Sequence, residues 1–415
     1  MKQPTIFDGA RHTIQDSIDK TVESMNTYGP LHDHWAFAWS GGKDSTTTLT
    51  VILYLLDAGL IQPPRSITVF YADTRLELTP LAIAAQRMMQ QLRDKGITVR
   101  IVMAEMDERF MVYMLGRGVP PAGAGFRWCT GLVKIKPMQI AVRELAAELG
   151  SKFLMVVGLR IGESAARDDR IAISCGRNGG ECGQGWYSTT LPESACNTLS
   201  PVLHWRVCHV WEWLNVFAPS KRYGRWDTEL LAHAYGGDQA EEINARTGCV
   251  GCPVASRDMA LDAILPMSQW SYLSPLRELR PLWNELRKPK HRHRKHGGET
   301  NKDGSLVRNQ NRPGPLTLDA RRMGLARVLE IQDRVNLGAE RMDREHAELM
   351  LRVGKTPTMH TPRIDILNAE EVARIEELID AKTFPNKWTG DEPNAGELYV
   401  STFTDGSRQE LLFGN

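Results

Sequence analysis

The sequence predicts an α/β fold in which a mostly parallel sheet is flanked by helices and followed by a helical, cysteine-containing C-terminal region. Short apolar segments alternate with segments of helical periodicity between residues 35 and 157. Such alternation is typical of βαβ units, which place their strands parallel. Beyond about residue 169 the strand-like segments stop, and the remaining periodicity is helical.

The alternation defines each element in turn. The predicted strands are 35–39, 66–71, 99–103 and 153–157, and the predicted helices are 12–25, 45–58, 81–95 and 136–149. Residues 174–200 are rich in Gly, Ser, Thr and Cys, so we expect a long loop there. Further helices are predicted at 209–217, across much of 220–285, at 316–351 and at 367–382.

A chain of 415 residues is long enough for two or three domains. Shifts in composition divide the chain into five expected regions. They are an N-terminal helix at 1–34, a first domain at 35–215, a helical Cys-x-x-Cys region at 216–286, a basic linker or mobile loop at 287–315 and a mainly helical C-terminal region at 316–415.

The net charge of +1 argues against binding of polyanions through bulk charge, so contact with nucleic acid requires a local basic patch. The basic run at 287–296 suits either a grip on DNA phosphates or a solvated mobile loop. The most apolar early stretch, 49–56, is too short to span a bilayer. We therefore expect a cytoplasmic protein without membrane contact. Its seven cysteines are better candidates for metal ligands or sulfur chemistry than for disulfides, and ordinary buried thiols are the alternative.

Residues 40–45, Ser-Gly-Gly-Lys-Asp-Ser, lie between a predicted strand and a predicted helix. The two glycines let the backbone approach a ligand closely and adopt positive φ. The first N–H groups of the helix can hold an anion, to which the serines add hydroxyl donors and the lysine adds a charge. A turn that only caps the helix is the alternative. The ligand-binding residues predicted here are Ser40, Gly41, Gly42, Lys43, Asp44 and Ser45.

Polar residues follow two further predicted strands. Asp73 lies at the end of the second strand, and Gly158, Arg160 and Arg167 follow the fourth. Ligands of open α/β sheets bind at the carboxyl ends of the strands, and guanidinium groups bind phosphate oxygens bidentately. We therefore place Asp73, Gly158 and Arg160 in a nucleotide site and expect both arginines to act on phosphates. A strand-end turn and surface arginines are the alternatives.

Three cysteines are predicted to hold a metal or a cluster. Cys249 and Cys252 form a Cys-x-x-Cys-Pro unit, and Cys129 lies in Arg-Trp-Cys-Thr, upstream of Lys134. Four thiolates are the usual complement of a 4Fe–4S cluster, and a zinc ion would use the same set. Cys208 is the preferred fourth ligand. The alternatives for the fourth position are Cys175, Cys182 and Cys196.

The Ser-Gly-Gly-x-Asp-Ser loop resembles that of the PP-loop superfamily, whose members cleave ATP to AMP and pyrophosphate. The segment from Gly158 to Arg167 resembles Gly-x-Arg-x-x-Glu-Ser-x-x-Arg of the phosphoadenylylsulfate (PAPS) reductase-like family, and Asp73-Thr resembles part of the sulfonucleotide reductases. The resemblance covers about 35–255. It implies a PP-loop, adenine nucleotide alpha hydrolase-like fold for 35–215, with ATP and Mg²⁺ as cofactors. The catalytic residues that it implies are Lys43, Asp44, Arg160 and Arg167.

No cysteine follows Cys252, so the C-terminal nucleophile of the sulfate-assimilating reductases is missing and sulfonucleotide reduction is not expected. Arg127-Trp-Cys-Thr130 and the late Cys-x-x-Cys look like DNA phosphorothioation proteins of the DndC and SspD kind. That resemblance implies an ATP pyrophosphatase that activates a DNA backbone phosphate for sulfur incorporation. The cysteine spacing departs from the DndC arrangement, because Ala240 stands near the place of its third cysteine.

The implied partners are a cysteine desulfurase as sulfur donor, other DNA-modification proteins and DNA as acceptor, and a homo-oligomer is left open. Two other functions also stay open. One is a sulfurtransferase that acts on tRNA or a small molecule, and the other is a non-catalytic nucleotide-binding scaffold.

Overall fold

Two compact units make up the chain. The computed structural model describes residues 13–161, 186–188, 195–235, 248–295, 304–305, 312–358, 360–396, 400–402 and 407–410. Unit 1 comprises Met1–Asp73, Glu77–Met103 and Ile135–Gly248, and unit 2 comprises Thr74–Leu76, Ala104–Lys134 and Cys249–Asn415. The units divide the chain at other points than the composition shifts do, because 74–76 and 104–134 pack with the C-terminal part.

Unit 1 is built on a six-stranded sheet with the order β3-β2-β1-β4-β6-β5. Only the edge strand β5 is antiparallel to its neighbour, which confirms the α/β prediction of a mostly parallel sheet. The chain reverses its direction of travel across the sheet at β1, which lies between β2 and β4, and ligand crevices form at such switch points. The strands are β1 His34–Trp39, β2 Ser66–Ala72, β3 Thr98–Val102, β4 Phe153–Val157, β5 Trp186–Ser188 and β6 Cys196–Ser200.

The prediction of one long loop over 174–200 is wrong at its end, because β6 is an inner strand that pairs with β4. Its sequence is Cys-Asn-Thr-Leu-Ser, and Thr198 and Ser200 are buried. A strand with so many polar residues lacks the apolar pattern by which the other strands are recognised. The short strand β5 lies in the same misassigned stretch.

The helices of unit 1 cover the sheet as predicted. On one face, Val142 and Leu145 pack against Phe70 and Phe153 of the strands. The predicted helix end at Gly150 is confirmed, since this residue has φ 64°. The helices are α1 Ile14–Tyr28, α2 Lys43–Asp57, α3 Thr79–Asp94, α4 Lys136–Leu149, α5 Val207–Glu212 and α6 Glu229–Ala234.

Helix α2 is anchored in the core by hydroxyl groups. The indole N–H of Trp39 donates to Thr46 Oγ1 at 2.9 Å, and that of Trp213 donates to Thr50 Oγ1 at 2.9 Å. Both threonines are fully buried, and a buried indole N–H needs an acceptor. These contacts fix the helix whose first turn follows the glycine loop.

Unit 2 is mainly helical, which confirms the predicted helical C-terminal region. A 3₁₀ segment at Ser268–Glu278 packs along the longest helix, and a short hairpin lies near the end of the chain. No helix in the described part of the chain has the length and apolarity to cross a bilayer. The elements are α7 Met259–Ile264, α8 Leu279–Leu286, α9 Leu318–Arg352, α10 Ala369–Asp380, β7 Val400–Thr402 and β8 Arg408–Glu410.

Arg321 on α9 lies at the centre of unit 2 and is fully buried. It donates to the carbonyl oxygens of Leu115 at 2.8 Å, Leu378 at 3.1 Å and Thr383 at 2.9 Å, and also to that of Gly116. One guanidinium therefore joins three segments that are far apart in the sequence, and all four of these partners are neutral backbone groups.

The described part of the predicted basic linker, 287–295, is packed within unit 2. Lys288, Lys290 and His291 converge on the carboxylate of Glu285. Arg292 is buried and donates to backbone carbonyls of 313–314. Glu285 offsets one positive charge of this segment, whereas the carbonyl contacts of Arg292 hold its side chain in place without neutralising it.

Candidate active site

The glycine loop lies where β1 ends and α2 begins. Gly41 has φ 73°, and Gly42 is the N-cap of α2 without a side chain to cap it. The hydroxyls of Ser40 and Ser45 lie 3.2 Å apart, and Ser45 Oγ donates to the Gly42 carbonyl at 3.1 Å. The two serines therefore close the loop, while the first N–H groups of α2 lack intrahelical partners.

Gly158 holds the end of β4 against this loop. A Cβ at this position would lie 2.6 Å from both Cα and N of Ser45, and 2.8 Å from the carbonyl carbon of Asp44. Real Cβ atoms do not approach backbone this closely, so only glycine fits without a shift of the loop. The structure thus brings the segment after β4 onto the first turn of α2, which places Gly158 beside the glycine loop.

Three charged side chains converge on the first turn of α2. Asp44 Oδ2 lies 2.9 Å from Lys43 Nζ, and its Oδ1 lies 2.5 Å from Arg160 Nε. Arg160 also donates through Nη1 to the carbonyl of Trp205 at 3.0 Å. Lys43 and Arg160 are both buried. Two buried cations therefore share one carboxylate, which leaves a local excess of one positive charge.

The pKa of Asp44 is held below its usual range. Burial is the largest influence and opposes ionisation, but the combined attraction and hydrogen bonding of Lys43 and Arg160 outweigh it. The carboxylate is therefore ionised at neutral pH. Both of its oxygens already accept from cations, so a Mg²⁺ ion on Asp44 would have to replace one of them.

A further contributor to the site, Tyr235, was not predicted from the sequence. Its hydroxyl accepts the N–H of Lys43 at 3.2 Å, and the Lys43 ammonium lies 5.1 Å from the centre of its ring. Tyr235 is buried and follows α6, 192 residues along the chain from Lys43. No short motif surrounds it, so no local sequence signal could have identified it.

Asp73 lies at the rim of the sheet, where its backbone N–H donates to the Val102 carbonyl at 2.9 Å. Burial raises the pKa of the neighbouring Tyr71 phenol, and the negative charges of Glu77 and Asp73 raise it further. A Cβ on Gly41 would lie 3.6 Å from the Tyr71 ring. The Tyr71 ring therefore lies beside the glycine loop.

A cavity of about 360 Å³ lies beside Arg160. His204, Trp205 and Arg206 are among the residues that line it. Two arginines among the lining residues favour an anionic occupant. Arg167, the other arginine predicted for this region, lies outside the described residues.

The four predicted metal ligands are divided between the units. Cys129, Cys249 and Cys252 belong to unit 2, whereas Cys208 is exposed on α5 of unit 1. The Cys-x-x-Cys segment forms a turn in which Cys252 N–H donates to the Cys249 carbonyl at 3.1 Å, and Gly251 adopts φ 62° within it. The four-ligand set therefore stays a prediction.

Cys129 and Cys252 are close enough to influence each other. Burial raises the pKa of the Cys129 thiol, and the charge of Cys252 raises it further. Arg287 holds the two segments together, since it donates to the carbonyls of Ala122 and Pro253. Among the described residues, no three His, Cys, Asp or Glu side chains are gathered closely enough to hold a metal ion.

Residues 34–216 match the family model of the phosphoadenosine phosphosulfate reductase domain. An uncharacterized protein of Methanocaldococcus jannaschii is 27% identical over 189 residues, which are 46% of this chain and 33% of that protein. The chain therefore spans about a third of the length of the curated relative that it matches.

Three solved structures are similar at a low level. The FMN adenylyltransferase of Candida glabrata, in complex with FMN and an ATP analog, is 15% identical with a TM-score of 0.31, covering 48% of this chain and 56% of its own. The PAPS reductase of Candida auris is 11% identical with a TM-score of 0.30, covering 51% and 86%. The U34-tRNA thiolase of Methanococcus maripaludis, with its [4Fe-4S] cluster, is 13% identical with a TM-score of 0.31, covering 66% and 79%. Scores of this size do not define a fold, which rests here on the strand order.

Proposed function

We propose that the phosphoadenosine phosphosulfate reductase domain at residues 34–216 is an ATP pyrophosphatase that activates an acceptor for sulfur incorporation. One observation carries the proposal. The glycine loop at the end of β1 is pressed against Gly158, and it holds Lys43 and Arg160 buried beside the first N–H groups of α2, which have no acceptor within the helix. Buried cations and backbone donors in one place favour a polyphosphate.

The first step is cleavage between the α and β phosphates of ATP. An acceptor oxygen attacks the α-phosphorus, the bond to the bridging oxygen breaks, and pyrophosphate leaves with the electron pair. Negative charge grows on the leaving group, so Lys43 and Arg160 stabilise the transition state because they are already in place. Asp44 orients both cations through the contacts at 2.9 and 2.5 Å.

The cavity beside Arg160 suits the leaving pyrophosphate. It opens next to Arg160 and carries a second guanidinium, Arg206, on its wall. Release of a highly charged product into a positively charged cavity keeps it away from the adenylated acceptor. Mg²⁺ would shield the phosphate charge in addition, bound mainly through the phosphates, because Asp44 is already engaged.

The proposed acceptor is a phosphate of the DNA backbone. After adenylation, a sulfur nucleophile at the oxidation level of sulfide displaces AMP, so this exchange needs no electrons. The proposal for DNA is supported by the resemblance around Arg127 and Cys129 and by the Cys-x-x-Cys turn. A cysteine desulfurase is the proposed source of the sulfur, which it carries as a persulfide. A second thiol reduces that persulfide to the level of sulfide and ends in a disulfide, and other DNA-modification proteins are the proposed partners. No step is assigned to an iron–sulfur cluster.

The nucleotide chemistry is tested with Lys43→Ala. The substitution removes a buried charge from the phosphate site, so pyrophosphate release from ATP falls by about 100-fold or more. Release is measured with the purified protein and candidate partners, with Lys221→Ala as the matched control because Lys221 is exposed on a turn of the same unit. Equal release by wild type and Lys43→Ala would remove the assignment of the loop.

The acceptor is tested separately by mass spectrometry of nucleosides from cells with and without the gene. We expect phosphorothioate-linked dinucleotides in DNA that depend on the wild-type chain and disappear with Lys43→Ala. If thiolated nucleosides in tRNA depend on the wild-type chain instead, tRNA is the acceptor of the same ATP-driven reaction. If neither product changes when the gene is removed, although the purified protein releases pyrophosphate, the acceptor is a small molecule. That result would contradict the proposal for DNA.

A further inference from the structure

We propose that Tyr235 acts as a stand-in ligand of the phosphate loop, with its hydroxyl at a position that a phosphate oxygen takes when ATP binds. This inference rests on the proposed function of the loop. Lys43 is the first residue of α2, and its N–H has no partner within the helix. The N-cap, Gly42, supplies no side-chain acceptor, and the Tyr235 oxygen accepts that N–H at 3.2 Å.

The Tyr235 hydroxyl fills the space that the glycine loop leaves open. A Cβ on Gly42 would lie 3.3 Å from this oxygen, so the phenol stands directly over the N-cap. A phosphate oxygen bound to the Lys43 N–H would need the same place. The two oxygens therefore exclude each other, and nucleotide binding at this N–H requires the tyrosine to move.

The aromatic ring of Tyr235 makes contacts of its own at this site. The Lys43 ammonium lies 5.1 Å from the ring centre, and Trp211 meets the ring edge to face at 5.1 Å. The residue is buried, with 4% of its surface exposed. Without nucleotide, one side chain thus satisfies the backbone donor and also covers the ammonium group of the phosphate site.

When ATP is present, the phosphate oxygen and the Tyr235 oxygen compete for the Lys43 N–H, and their difference in charge determines which one binds. A phosphate oxygen is anionic, and charge-assisted hydrogen bonds are roughly twice as strong as neutral ones. The partial positive charge of the helix N-terminus favours the anion further. ATP therefore displaces the phenol, but the contact that is broken lowers its apparent affinity, as for any ligand whose competent form is only partly populated.

Tyr235→Phe tests the inference because it removes the hydroxyl and keeps the ring beneath Lys43. The nucleotide no longer competes with a hydrogen bond worth about 0.5–1.5 kcal/mol, so α,β-methylene ATP binds about two- to tenfold more tightly in calorimetry. The methylene bridge prevents cleavage between the α and β phosphates, so binding alone is measured. Tyr54→Phe removes a hydroxyl from α2 away from the loop, and its affinity equals that of wild type.

The possible results separate this inference from the function on which it rests. Tighter binding by Tyr235→Phe alone supports it. Weaker or equal binding by Tyr235→Phe, with wild type binding normally, overturns it, because the hydroxyl then contributes to the bound state or does not compete. Failure of both proteins to bind the analog removes the proposed function together with the inference. Fluorine NMR of protein labelled with 3-fluorotyrosine adds a direct readout. The signal of Tyr235 is identified by its absence from the spectrum of Tyr235→Phe, and in wild type it shifts when the analog binds.

Discussion

Two buried arginines, one in each unit, show two ways of keeping a positive charge inside a protein. Arg160 is paired with a carboxylate, Asp44, at 2.5 Å, beside a second cation. Within the described part of the chain, the hydrogen-bond partners of Arg321 are the backbone carbonyls of 115, 116, 378 and 383. Burial lowers the pKa of Arg321 to about 10, so it remains charged at neutral pH.

The two arginines differ in whether their hydrogen-bond partners can be exchanged for a ligand. A carboxylate can be given up when a stronger or additional anion arrives, since the arginine then still has a charged partner. Backbone carbonyls cannot leave without unfolding of the segments that carry them. Arg160 is therefore suited to meet a ligand, whereas Arg321 is suited to join chain segments.

The largest effect is expected from Arg321→Met, which removes four hydrogen bonds to backbone carbonyls inside unit 2. The free energy of unfolding of unit 2 falls by about 3–5 kcal/mol. Hydrogen exchange of the α9 amides measures this loss. Arg322→Met is the matched control, because the neighbouring side chain is exposed. A loss below about 1 kcal/mol would show that water or other donors replace the guanidinium.

A smaller effect is expected from loss of the Asp44 carboxylate, and unlike that of Arg321→Met it depends on pH. Asp44→Asn removes the charge shared by Lys43 and Arg160, and it lowers the stability of unit 1 by about 2–3 kcal/mol at pH 7. The pKa of Asp44 is depressed in the folded chain. Its stabilising effect is therefore complete above the unfolded value of about 3.9 and is lost as pH falls through the folded value.

Urea unfolding of unit 1 at several pH values tests this dependence. The gap between wild type and Asp44→Asn closes as pH falls below about 4, whereas the effect of Arg321→Met keeps its size because its partners do not titrate. Asp57→Asn, at the exposed end of the same helix, is the control. A gap of constant size would contradict the ion pairing of Asp44.

The smallest effect compares two glycines that lack room for a side chain. A Cβ on Gly158 would meet the backbone of Ser45 at 2.6 Å, whereas one on Gly324 would meet the flexible end of Leu115 at 2.7 Å. Gly158→Ala costs about 1–3 kcal/mol and slows ATP cleavage by about 100-fold through displacement of the loop. Gly324→Ala changes stability by about 1 kcal/mol or less, since better helix propensity offsets the crowding. Equal effects on ATP cleavage would argue against a special role of Gly158.

The backbone of the glycine loop could be predicted because the residues that form it are consecutive in the sequence. Six consecutive residues between a strand and a helix define its backbone, and strand ends in a parallel sheet bring Gly158 to it. Tyr235 could not be predicted, because its contact spans 192 residues and depends on the packing of α6. Strand β6 was missed for another reason, since its buried Thr198 and Ser200 carry no apolar signal.

The cysteines lie between these two cases. The Cys-x-x-Cys spacing predicts a turn, and the turn is present with Gly251 at positive φ. Which thiols from elsewhere approach that turn is decided by long-range packing, such as the contacts of Arg287 with carbonyls of 122 and 253. Spacing alone could therefore suggest Cys129 but could not choose a fourth ligand.

The interleaved course of the chain has a consequence for its synthesis on the ribosome. Residues 104–134 belong with a partner region that begins only at Cys249. At roughly 5–20 residues per second, this segment waits for several seconds before its partners have been translated. During that time its apolar side chains, including the buried Leu115, lack the native partners that are still to be translated. The nascent chain is therefore expected to depend on chaperones most strongly at this stage.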